Sequence, residues 1–544
     1  MDKKSIIFVA LGFLSLTAGM FLFLDFPVDD SFIHLQFARH LREDGHFFYN
    51  YGHPVNAVTS PLWVLFISLG SFLLQLNNYY SAAQILNALL ILAAACMFLI
   101  FCLKIFTNRT AACVVFVIFC LHPWILRWSI NGVEVPLSVF LIFLGLNIYA
   151  DIYLLSKSSI LKNIAWGLVM GLSILARPEN MVLVVILFVV VLFTRSYKQT
   201  GFASFLSSIG SCFFIVCSWL IFSFYEFGTI MPTSFLTKTK STVSFTHFLS
   251  WIKTNGPLLL ASHPVEWSVL LGSIILFLFT KNFSTLKDLF RGQKAAAMVW
   301  LLFPGIVFMF YNLKGVLMYS RYVANFSPVV ILLGGFLAER TIHAFIRSEK
   351  MRNFLLMAFF TVYLVYSISF IRVVLFPKSL VAVNRPRNNV LYSISRDLDR
   401  KQEKENKIRV AVTEAGIIKY FAANPQNRFL IDLTGLVSPE YYRYSGGGNT
   451  TALLNQSKPD YIVLMEWQKK AFIRGGPCIN LGRPDLSKLK GRITHLKSYA
   501  VIRDDENHLS LRQMPFLGTN YETYRVAAFK THFYSLYKLR WDRE

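Results

Sequence analysis

The stretch AAQILNALLILAAACMFLIFCL, residues 82–103, decides the fold class, because it is predominantly apolar and contains no charged side chain. An α-helix needs about 20 such residues to cross the hydrocarbon core of a bilayer. Residues 6–24 and 203–224 form two further runs of similar length and character. Together these runs predict an α-helical protein that crosses a membrane several times.

The composition of the whole chain is also that of a membrane protein. Of its 544 residues, 55% are hydrophobic, and the mean hydropathy is +0.49, whereas soluble globular proteins are about 45–50% apolar. The apolar runs predict a polytopic α-helical membrane protein with about eleven spans. These spans are expected near residues 5–24, 81–103, 111–126, 135–154, 161–176, 180–195, 203–224, 266–281, 295–311, 325–343 and 353–376.

The basic residues indicate how the chain is oriented in the membrane. The formal net charge is +24, which in a soluble protein would suggest a nucleic-acid partner. Here, however, many Lys and Arg residues lie in short loops between apolar runs, and with a cytoplasmic N-terminus every inside loop is basic. This is the positive-inside pattern of multi-pass membrane proteins, so we expect membrane lipids and no nucleic acid as partners.

Residues 61–76 are apolar but do not fit this alternation as a further span. The segment opens with Thr59-Ser60-Pro61, which is typical of a helix start. Counting it as a span would place the loop with Lys104 and Arg109 outside and would invert every later loop. We therefore predict a helix that lies at, or partly within, the outer surface of the membrane.

The same orientation divides the chain into two predicted domains. Residues 1–376 form a transmembrane module with long outer loops at 25–60 and 225–265. Residues 377–544 form a soluble, non-cytoplasmic α/β domain, because short strand-like runs alternate there with helical patches. The predicted strands are Arg409–Val412, Phe429–Asp432 and Pro459–Leu464, and residues 416–421 form a turn or short helix.

Ionisable residues from loops far apart in the sequence share the predicted outer face. A charge at mid-bilayer costs about 2.5–3.5 kcal/mol on insertion scales, so such residues stay near the interface, form pairs or line a cavity. They are Asp25, Asp29, Asp30, Arg127, Glu134, Arg177, Glu179, Glu226, Lys238, Lys240 and Arg321. Their common side makes them the candidates for a functional site.

Asp29 and Asp30 lie directly after the first predicted span. Residues 31–42 have the spacing of an amphipathic helix, which places the acidic pair at its N-terminus. One interpretation is a helix cap, which contributes about 1 kcal/mol of stabilisation. The other is a general base, because the helix N-terminus favours the ionised carboxylate while the nearby bilayer opposes it.

Histidines close to the acidic pair raise the question of a metal site. His34 and His40 are about 240° apart around a helix, so they do not share a face. Asp30 and His34 do share one, at i,i+4 spacing, which favours a hydrogen-bonded pair. A divalent cation is compatible with this pair but is not indicated by it, so we predict no metal site and no certain cofactor.

Cationic residues at the outer ends of the spans have two interpretations. Arg177 and Arg321 either extend towards the membrane interface or bind a lipid phosphate at headgroup depth. Lys238 is either a solvated loop residue or a third such cation. Glu134 stands at the start of a predicted span, where the helix dipole weakly favours an acid. Glu179 follows Arg177 closely enough to pair with it.

Short motifs containing these residues follow one another along nearly the whole chain. In chain order they are Asp29-Asp30-Ser31-Phe32, Phe37-Ala38-Arg39, Val58-Thr59-Ser60-Pro61-Leu62-Trp63, Asn131-Gly132-Val133-Glu134, Ala176-Arg177-Pro178-Glu179, Met231-Pro232-Thr233-Ser234-Phe235, Arg321-Tyr322, Glu414-Ala415-Gly416 and Ile431-Asp432-Leu433-Thr434-Gly435-Leu436. The set resembles the GT-C superfamily of polyprenyl-phosphate-dependent membrane glycosyltransferases, most closely its bacterial arabinofuranosyltransferase-like branch. Ser60 and Ser234 depart from the commonest residues of that branch.

The resemblance implies an inverting glycosyltransferase of the bacterial inner membrane that works on the outer, periplasmic face. It implies a polyprenyl-phosphate donor of a hexose or pentose and a hydroxyl acceptor on a glycan, a lipid or a protein. Asp29 is the first candidate for the base that deprotonates the acceptor, and Asp30 is the second. The other implied roles are phosphate binding by Arg177, Arg321 and Lys238, and substrate binding by His34, Glu134, Glu179 and Trp63.

Two other classes of protein stay open at this point. A transporter or flippase of lipid-linked sugars would have ionisable or Gly/Pro-broken sites near mid-span and often repeated halves. The sequence shows neither clearly, and a flippase has no need of a large outer α/β segment. A structural membrane protein would carry the cluster of outer-face charges incidentally.

Overall fold

The structure is a computed structural model, and helices make up most of its N-terminal three quarters. It describes residues 3–24, 27–238, 245–279, 295–346, 348–375, 380–438, 450–465, 493–503, 509–514 and 533–539. The helices up to residue 227 are α1 (Lys3–Leu22), α2 (Asp29–Glu43), α3 (Pro61–Leu73), α4 (Tyr79–Ile105), α5 (Arg109–Leu121), α6 (Pro123–Trp128), α7 (Val135–Tyr149), α8 (Ile160–Ala176), α9 (Asn180–Phe193) and α10 (Phe202–Phe227).

Seven further helices are described between residues 233 and 405. They are α11 (Thr233–Lys238), α12 (Phe245–Ser262), α13 (Pro264–Phe279), α14 (Ala295–Leu313), α15 (Ser320–Phe345), α16 (Glu349–Leu375) and α17 (Leu380–Glu405). Local sequence explains several of the boundaries. The side chains of Asn78 and Asn108 accept backbone N–H bonds at the starts of α4 and α5, as N-cap residues do. A π-helical turn, Ala150–Leu154, extends α7.

Six helical segments among the described residues are long and apolar enough to cross a membrane. They are Ser5–Leu22, Tyr79–Ile105, Val135–Leu154, Phe202–Phe227, Ser320–His343 and Glu349–Ser369. The chain is therefore a multi-pass membrane protein, as its composition predicts. The predicted number of about eleven spans stays a prediction, because α5, α8 and α9 are apolar but only 13, 17 and 14 residues long.

The predicted outer loop 225–265 contains helix α12, which the sequence analysis did not anticipate. The segments Phe248–Ser262 and Pro264–Leu276 meet at an angle of 91° and together pass the test for one broken span. Pro264 opens α13, a position that suits proline because its missing amide hydrogen costs no hydrogen bond in the first turn of a helix. A broken helix of this kind is one of the transporter features that the sequence did not show clearly.

Helix α3 is short and apolar, and its position at the membrane surface stays a prediction. Its 13 residues extend about 20 Å, less than the roughly 30 Å of a hydrocarbon core. Trp63, Val64 and Ile67 are buried against the protein, whereas Leu69 and Phe72 are exposed by 58% and 63%. One apolar side therefore faces the protein and another faces its surroundings.

Two β-sheets lie outside the helical bundle. The first pairs β1 (Phe48–Asn50) with β2 (His53–Pro54) in antiparallel fashion. The second has six strands in the order β4-β3-β5-β8-β6-β7. Its strands are β3 (Ile408–Val412), β4 (Arg428–Asp432), β5 (Tyr461–Met465), β6 (Ile493–Arg503), β7 (Leu509–Met514) and β8 (Phe533–Leu539), with the short helices α18 (Gly416–Tyr420) and α19 (Thr450–Ser457).

The six-stranded sheet is parallel at one end and antiparallel at the other. Strands β4, β3 and β5 run parallel, with Val410 opposite both Leu430 and Tyr461. Strands β8, β6 and β7 continue the sheet in antiparallel pairs. The first three strands and α18 lie where the sequence predicted strands and a short helix. The position of this segment outside the membrane stays a prediction.

The first outer loop packs directly against the edge of this sheet. Asn50 Nδ2 donates to the Leu430 carbonyl at 2.8 Å, and the Leu430 amide donates back to Asn50 Oδ1 at 3.0 Å. The side-chain amide of Asn50 thus pairs with edge strand β4 as a neighbouring strand would. Arg39 lies 4.3 Å from the ring centroid of Tyr420 and donates to its carbonyl at 3.1 Å. One apolar core, including Phe37 and residues of β3 and β4, fills the junction.

Candidate active site

A cavity of about 350 Å³ lies where helix ends, outer loops and the C-terminal segment meet. Its lining brings together residues that are far apart in the sequence, between positions 30 and 437. It is lined by Asp30, Ile33, His34, Ala57, Val58, Thr59, Ser60, Glu134, Arg177, Pro178, Glu179, Met181, Val182, Ser234, Phe235, Val307, Phe310, Tyr311, Val316, Arg321, Tyr322, Leu436 and Val437. Six of the nine sequence-predicted site residues are in this set: Asp30, His34, Glu134, Arg177, Glu179 and Arg321.

Asp29, the first candidate for the base, does not line the cavity. Its side chain is buried, and its carboxylate oxygens accept hydrogen bonds from the amides of Gly416 at 2.9 Å and Ile417 at 2.8 Å. These amides begin helix α18, so Asp29 caps a helix far away in the sequence rather than its own. The N-cap of α2 is Val28, which has no capping side-chain bond. The structure therefore favours Asp30 over Asp29 for chemistry in the cavity.

Gly416 permits this contact because it has no side chain. A Cβ atom at position 416 would overlap the main-chain carbonyl oxygen of Asp29. Overpacking of a tight contact costs about 1–3 kcal/mol, so Gly416→Ala is expected to lower the thermal unfolding midpoint of the detergent-solubilised protein. Gly210→Ala, where a Cβ would meet nothing within 4 Å, is the matched control. Equal midpoints for the two variants would contradict the contact.

Asp30 faces the cavity from the first turn of α2 and pairs with Arg321 in the first turn of α15. Arg321 Nη1 lies 2.6 Å from Asp30 Oδ2. The guanidinium also lies 5.3 Å and 5.9 Å from the ring centroids of Tyr322 and Tyr319, within the range of cation–π attraction. The Asp30 side chain keeps 39% of its surface exposed, so its carboxylate remains accessible from the cavity.

Arg177 lies at the centre of a second, largely buried charge cluster. Its Nη1 and Nη2 donate to Glu134 Oε1 at 2.5 Å and to Glu179 Oε1 at 3.0 Å. Tyr311 on α14 donates its hydroxyl hydrogen to the same oxygen of Glu179. The ring centroid of Tyr322 lies 5.2 Å from the guanidinium carbon. The cluster has two carboxylates for one cation, so the charge of Arg177 is already balanced by protein groups.

Burial and ion pairing act in opposite directions on the acids of this cluster. Burial alone raises the pKa of Glu134 and of Glu179, but the neighbouring cations and hydrogen bonds, Arg177 first among them, together hold the pKa of both below the usual range. Burial lowers the pKa of Arg177, and the two carboxylates more than reverse that effect and raise it. Both acids are consequently ionised at neutral pH.

His34 lines the cavity one helical turn after Asp30. Its Nδ1–H donates to the Asp30 main-chain carbonyl at 3.2 Å, so the predicted pairing occurs through the backbone rather than through the carboxylate. Burial lowers the pKa of His34, and the imidazole is therefore neutral at pH 7. Among the described residues, no group of three His, Cys, Asp or Glu side chains is arranged to hold a metal ion.

Trp63, a predicted substrate-binding residue, lies behind the cavity wall instead of in it. Its side chain is fully buried, and Nε1–H donates to the Gly132 carbonyl at 3.0 Å. Asn87 accepts the Gly132 amide at 2.8 Å and donates to the Val133 carbonyl at 2.9 Å. These bonds hold the loop that ends in Glu134. Trp63 therefore positions Glu134 from behind, because a buried indole N–H needs an acceptor.

A buried network of small polar side chains joins the helices α7, α9 and α15. Ser138 on α7 donates to Asn325 Oδ1 at 2.6 Å, and Asn325 donates to Asn180 Oδ1 at 3.0 Å. Asn180 on α9 returns a bond to Ser138 Oγ at 2.8 Å. Such closed networks are rigid because every member would be costly to leave unpaired. The network keeps the helices that carry Glu179 and Arg321 in fixed relation.

Sequence reasoning missed several residues that the structure places in the site. Tyr311, Leu436 and Val437 line the cavity, yet nothing in their local sequence distinguishes them from core residues. Lys238 ends helix α11, and its side chain is outside the described part of the structure, as are Asp25 and Lys240. Asp432, which controls the loop with Leu436, was present in a quoted motif but was given no role.

Comparisons with known proteins agree on the fold and leave the C-terminal segment without a function. Residues 389–532 match a family described as "Domain of unknown function (DUF8728)". No curated protein matches the chain. Among solved structures, ArnT from Cupriavidus metallidurans in the apo state has a TM-score of 0.53 and 13% identity, over 86% of this chain and 94% of ArnT.

Two further structures contain lipid phosphates. ArnT from Cupriavidus metallidurans bound to undecaprenyl phosphate has a TM-score of 0.52 and 13% identity, over 88% of this chain and 96% of that one. The archaeal oligosaccharyltransferase AglB from Archaeoglobus fulgidus, in complex with an inhibitory peptide and a dolichol-phosphate, has a TM-score of 0.53 and 11% identity, over 95% of this chain and 75% of AglB. At such low identity the likeness concerns the fold.

The fold and the site together define a class of protein. It is a multi-pass helical membrane protein with a charged cavity at the ends of its helices, closed in part by a C-terminal α/β segment. More particularly, the chain shares its fold with ArnT and AglB, in agreement with the fold that the ordered sequence motifs predicted.

Proposed function

We propose that this protein is an inverting glycosyltransferase that moves a hexose or pentose from a polyprenyl-phosphate donor to a hydroxyl group. The reaction is placed on the outer face of the bacterial inner membrane, with the N-terminus cytoplasmic and residues 377–544 periplasmic. The observation that carries the proposal is the combination of apolar and charged lining in one cavity. The lipid phosphates bound by the two structurally similar proteins support it.

The cavity suits an amphipathic ligand because its lining changes character from one side to the other. Met181 and Val182 on α9, with Val307 and Phe310 on α14, form an apolar side contributed by helices of the bundle. The charged residues stand at the helix ends beside it. A prenyl chain fits against the apolar helices by the hydrophobic effect, while its phosphate reaches the cations.

Arg177 and Arg321 are the two cations in the cavity lining. Of these, Arg321 is the better candidate for binding the donor phosphate. Arg177 is paired with two largely buried carboxylates, whereas the ion pair of Arg321 among the described residues is with the partly exposed Asp30. The phosphate gains negative charge as the sugar leaves, and a fixed cation stabilises this charge. Arg177 then serves mainly to hold Glu134 and Glu179 in place. A contribution from Lys238 stays part of the proposal on the sequence pattern alone.

Asp30 is the proposed base, with Asp29 as its structural neighbour. The acceptor oxygen attacks the anomeric carbon, the bond from that carbon to the phosphate oxygen breaks, and the acceptor proton passes to Asp30. A guanidinium that donates hydrogen bonds to Asp30 on one side and to the phosphate on the other holds the two acceptor oxygens roughly 7 Å apart. That distance accommodates an anomeric carbon between an attacking and a departing oxygen, which is the arrangement that inverts its configuration.

Arg321→Ala is expected to lower the transfer rate by about 10²–10³-fold, which is typical for loss of one donor that stabilises a developing anion. Arg321→Lys is expected to recover only part of this loss, because an ammonium lacks the planar fork needed to contact base and phosphate together. Rates of sugar transfer by the purified protein in lipid nanodiscs measure the effect. Arg400→Ala removes a cation that is 74% exposed and is the control for net charge.

The function itself is tested with the full chain in nanodiscs and a panel of polyprenyl-phosphate sugars. Transfer of a hexose or pentose to an added hydroxyl acceptor, with the opposite anomeric configuration in the product by NMR, is the expected result. Retained configuration would contradict the single-displacement step. Failure of every donor to be consumed, with donor binding absent as well, would contradict the proposed enzyme.

Transport of a lipid-linked sugar is a second candidate, favoured by the break between α12 and α13. His263 lies at the 91° bend, its ring stacks 5.0 Å from that of His122, and both are fully buried. Glu266, buried one turn later, adds an acid at a broken helix, as transporter sites often do. Movement of a fluorescent lipid phosphate across proteoliposomes, without any sugar transfer, would favour this candidate over the enzyme.

A further inference from the structure

Part of the cavity lining, separate from the apolar helices α9 and α14, is built from three further segments of the chain. Ala57, Val58, Thr59 and Ser60 come from the first outer loop, Ser234 and Phe235 from α11, and Leu436 and Val437 from the loop after β4. We call this set the outer wall. No member of the outer wall is ionisable, and its polar groups are hydroxyls. It differs in this respect from the charged helix ends next to it.

Ser234 is a polar member of the outer wall with an unused hydrogen-bonding group. Its side chain is only 7% exposed, and its hydroxyl has no hydrogen-bond partner among the described residues. A buried hydroxyl without a partner costs free energy. A ligand hydroxyl in the cavity would remove this cost. Ser234 thus points to a ligand that carries neutral hydrogen-bonding groups at this place.

Asp432 holds the C-terminal part of the outer wall in shape. Its Oδ1 accepts the amide and the hydroxyl hydrogen of Thr434 at 2.8 Å and 2.6 Å. Its Oδ2 accepts the amides of Leu436 at 2.8 Å and Val437 at 3.2 Å. Four hydrogen bonds to one fully buried carboxylate fix the loop, because the loop amides would otherwise be left without acceptors. Asp432 itself does not line the cavity.

Thr233 connects this loop to the other two segments of the outer wall. Its amide donates to the Asn56 carbonyl at 2.7 Å, and its hydroxyl donates to the Leu436 carbonyl. Thr233 directly precedes Ser234, so the same bonds that join the three segments also set the position of the Ser234 hydroxyl. The outer wall is therefore a single built surface rather than three independent loops.

We infer that the outer wall is the subsite for the glycosyl group of the donor, that it selects a neutral sugar, and that Asp432 is its positioning residue. The inference rests on the proposed function, which places the prenyl chain on the apolar helices and the phosphate at Arg321. The sugar then extends to the remaining side of the cavity. A charged sugar buried against a wall without ionisable groups would lack a partner there, which is strongly unfavourable.

The test compares a bare lipid phosphate with versions of the same lipid that carry a sugar. Affinities of the full chain in nanodiscs are measured for undecaprenyl phosphate and for the same lipid bearing glucose, arabinose or glucuronic acid. Ser234→Ala is expected to weaken binding of the glucose or arabinose lipid by about 3–10-fold, as for loss of one neutral hydrogen bond, and to change binding of the bare phosphate less than twofold. Ser234→Thr keeps the hydroxyl and is expected to restore binding.

Asp432→Asn is expected to give the same difference between the two lipids, together with faster hydrogen exchange of residues 433–437. Asparagine cannot accept the Leu436 and Val437 amides with its NH₂ group. Ser223→Ala, which also deletes a buried hydroxyl without a partner among the described residues, and Asp460→Asn, whose carboxylate accepts one backbone amide at the distant start of β3, are the matched controls outside the cavity.

The possible outcomes separate this subsite from the function on which it rests. Equal weakening for both lipids, no weakening for the sugar-bearing lipid, or faster exchange of the loop without any change in sugar-lipid affinity would overturn the subsite alone. Binding of the glucuronic acid lipid as tightly as the glucose lipid would overturn selection for a neutral sugar. Absence of binding of every lipid by the wild-type protein would overturn both the subsite and the proposed function.

Discussion

Asp30→Asn is expected to slow sugar transfer by about 10²–10⁴-fold, the range typical of a lost general base, while the fold and the affinity for the donor lipid stay near those of the wild type. The amide that replaces the carboxylate has nearly the same shape but cannot accept a proton at neutral pH. The side-chain oxygen of the asparagine can still accept the hydrogen bond from Arg321 Nη1, so Arg321 keeps a hydrogen-bond partner. Single-turnover rates, with donor affinity measured separately, give the result.

The variant Asp29→Asn distinguishes the role of a catalytic base from that of a helix-capping residue. In the wild type, the two carboxylate oxygens of Asp29 accept hydrogen bonds from the backbone amides of Gly416 and Ile417 at the start of α18. The NH₂ group of asparagine cannot accept one of these two bonds. We expect a lower unfolding midpoint and a smaller loss of rate than in Asp30→Asn. If Asp29→Asn instead abolishes transfer at an unchanged midpoint while Asp30→Asn remains active, the assignment of the base to Asp30 is wrong.

Arg177→Met is expected to destabilise the protein by about 3–5 kcal/mol, the cost of breaking a buried ion pair by removing one partner. The exposed fraction of the side chain is 3% for Arg177, 7% for Glu134 and 16% for Glu179. Two carboxylates without a cation would then lie side by side in a buried place. The thermal unfolding midpoint in detergent and the yield of folded protein measure the effect.

The triple variant Arg177→Met, Glu134→Gln, Glu179→Gln tests the reason for that loss. It removes all three charges together, so no uncompensated charge is buried, and replacement of a buried ion pair by neutral groups is often close to neutral in stability. We expect much of the lost stability to return, without return of activity. A triple variant as unstable as Arg177→Met would show that packing, rather than charge balance, is what Arg177 supplies.

The two neighbouring acids of α2 illustrate how the first outer loop joins both halves of the protein. Successive residues on a helix point about 100° apart, so Asp29 and Asp30 cannot serve the same surroundings. Asp29 faces the C-terminal segment, and Asp30 faces the cavity and Arg321. The C-terminal segment is thereby attached next to the site, where its loop with Leu436 and Val437 closes the outer wall.

Several properties of the site were predictable because they depend on residue type and on the side of the membrane. Glu134, Arg177, Glu179 and Arg321 stand at span ends with one predicted orientation, and charges avoid the bilayer centre. They were therefore expected to lie near one another, and the structure does bring them to one cavity. The roles assigned to individual residues within that set stay proposals.

Other properties could not be predicted, because they depend on partners that are distant in the sequence. Trp63 has the residue type of a ligand-binding side chain, and only its bond to the Gly132 carbonyl shows that it supports a loop instead. The sequence marks Ser234 only as a departure from a family motif, and its burial without a hydrogen-bond partner among the described residues is what makes it a candidate for ligand contact. The bend at His263 requires the directions of two helices, which periodicity does not supply.

The sequence by itself determined the class of the molecule, a multi-pass helical membrane protein with acids and cations on one face, because hydrophobic length and charge placement are local properties. The order of its motifs also pointed to the GT-C fold. Only the tertiary structure decided which acid of the Asp29-Asp30 pair faces the cavity, since the two residues differ by one step of a helix. That choice depends on Gly416 and Arg321, which are several hundred residues away and reach α2 only when the chain is folded.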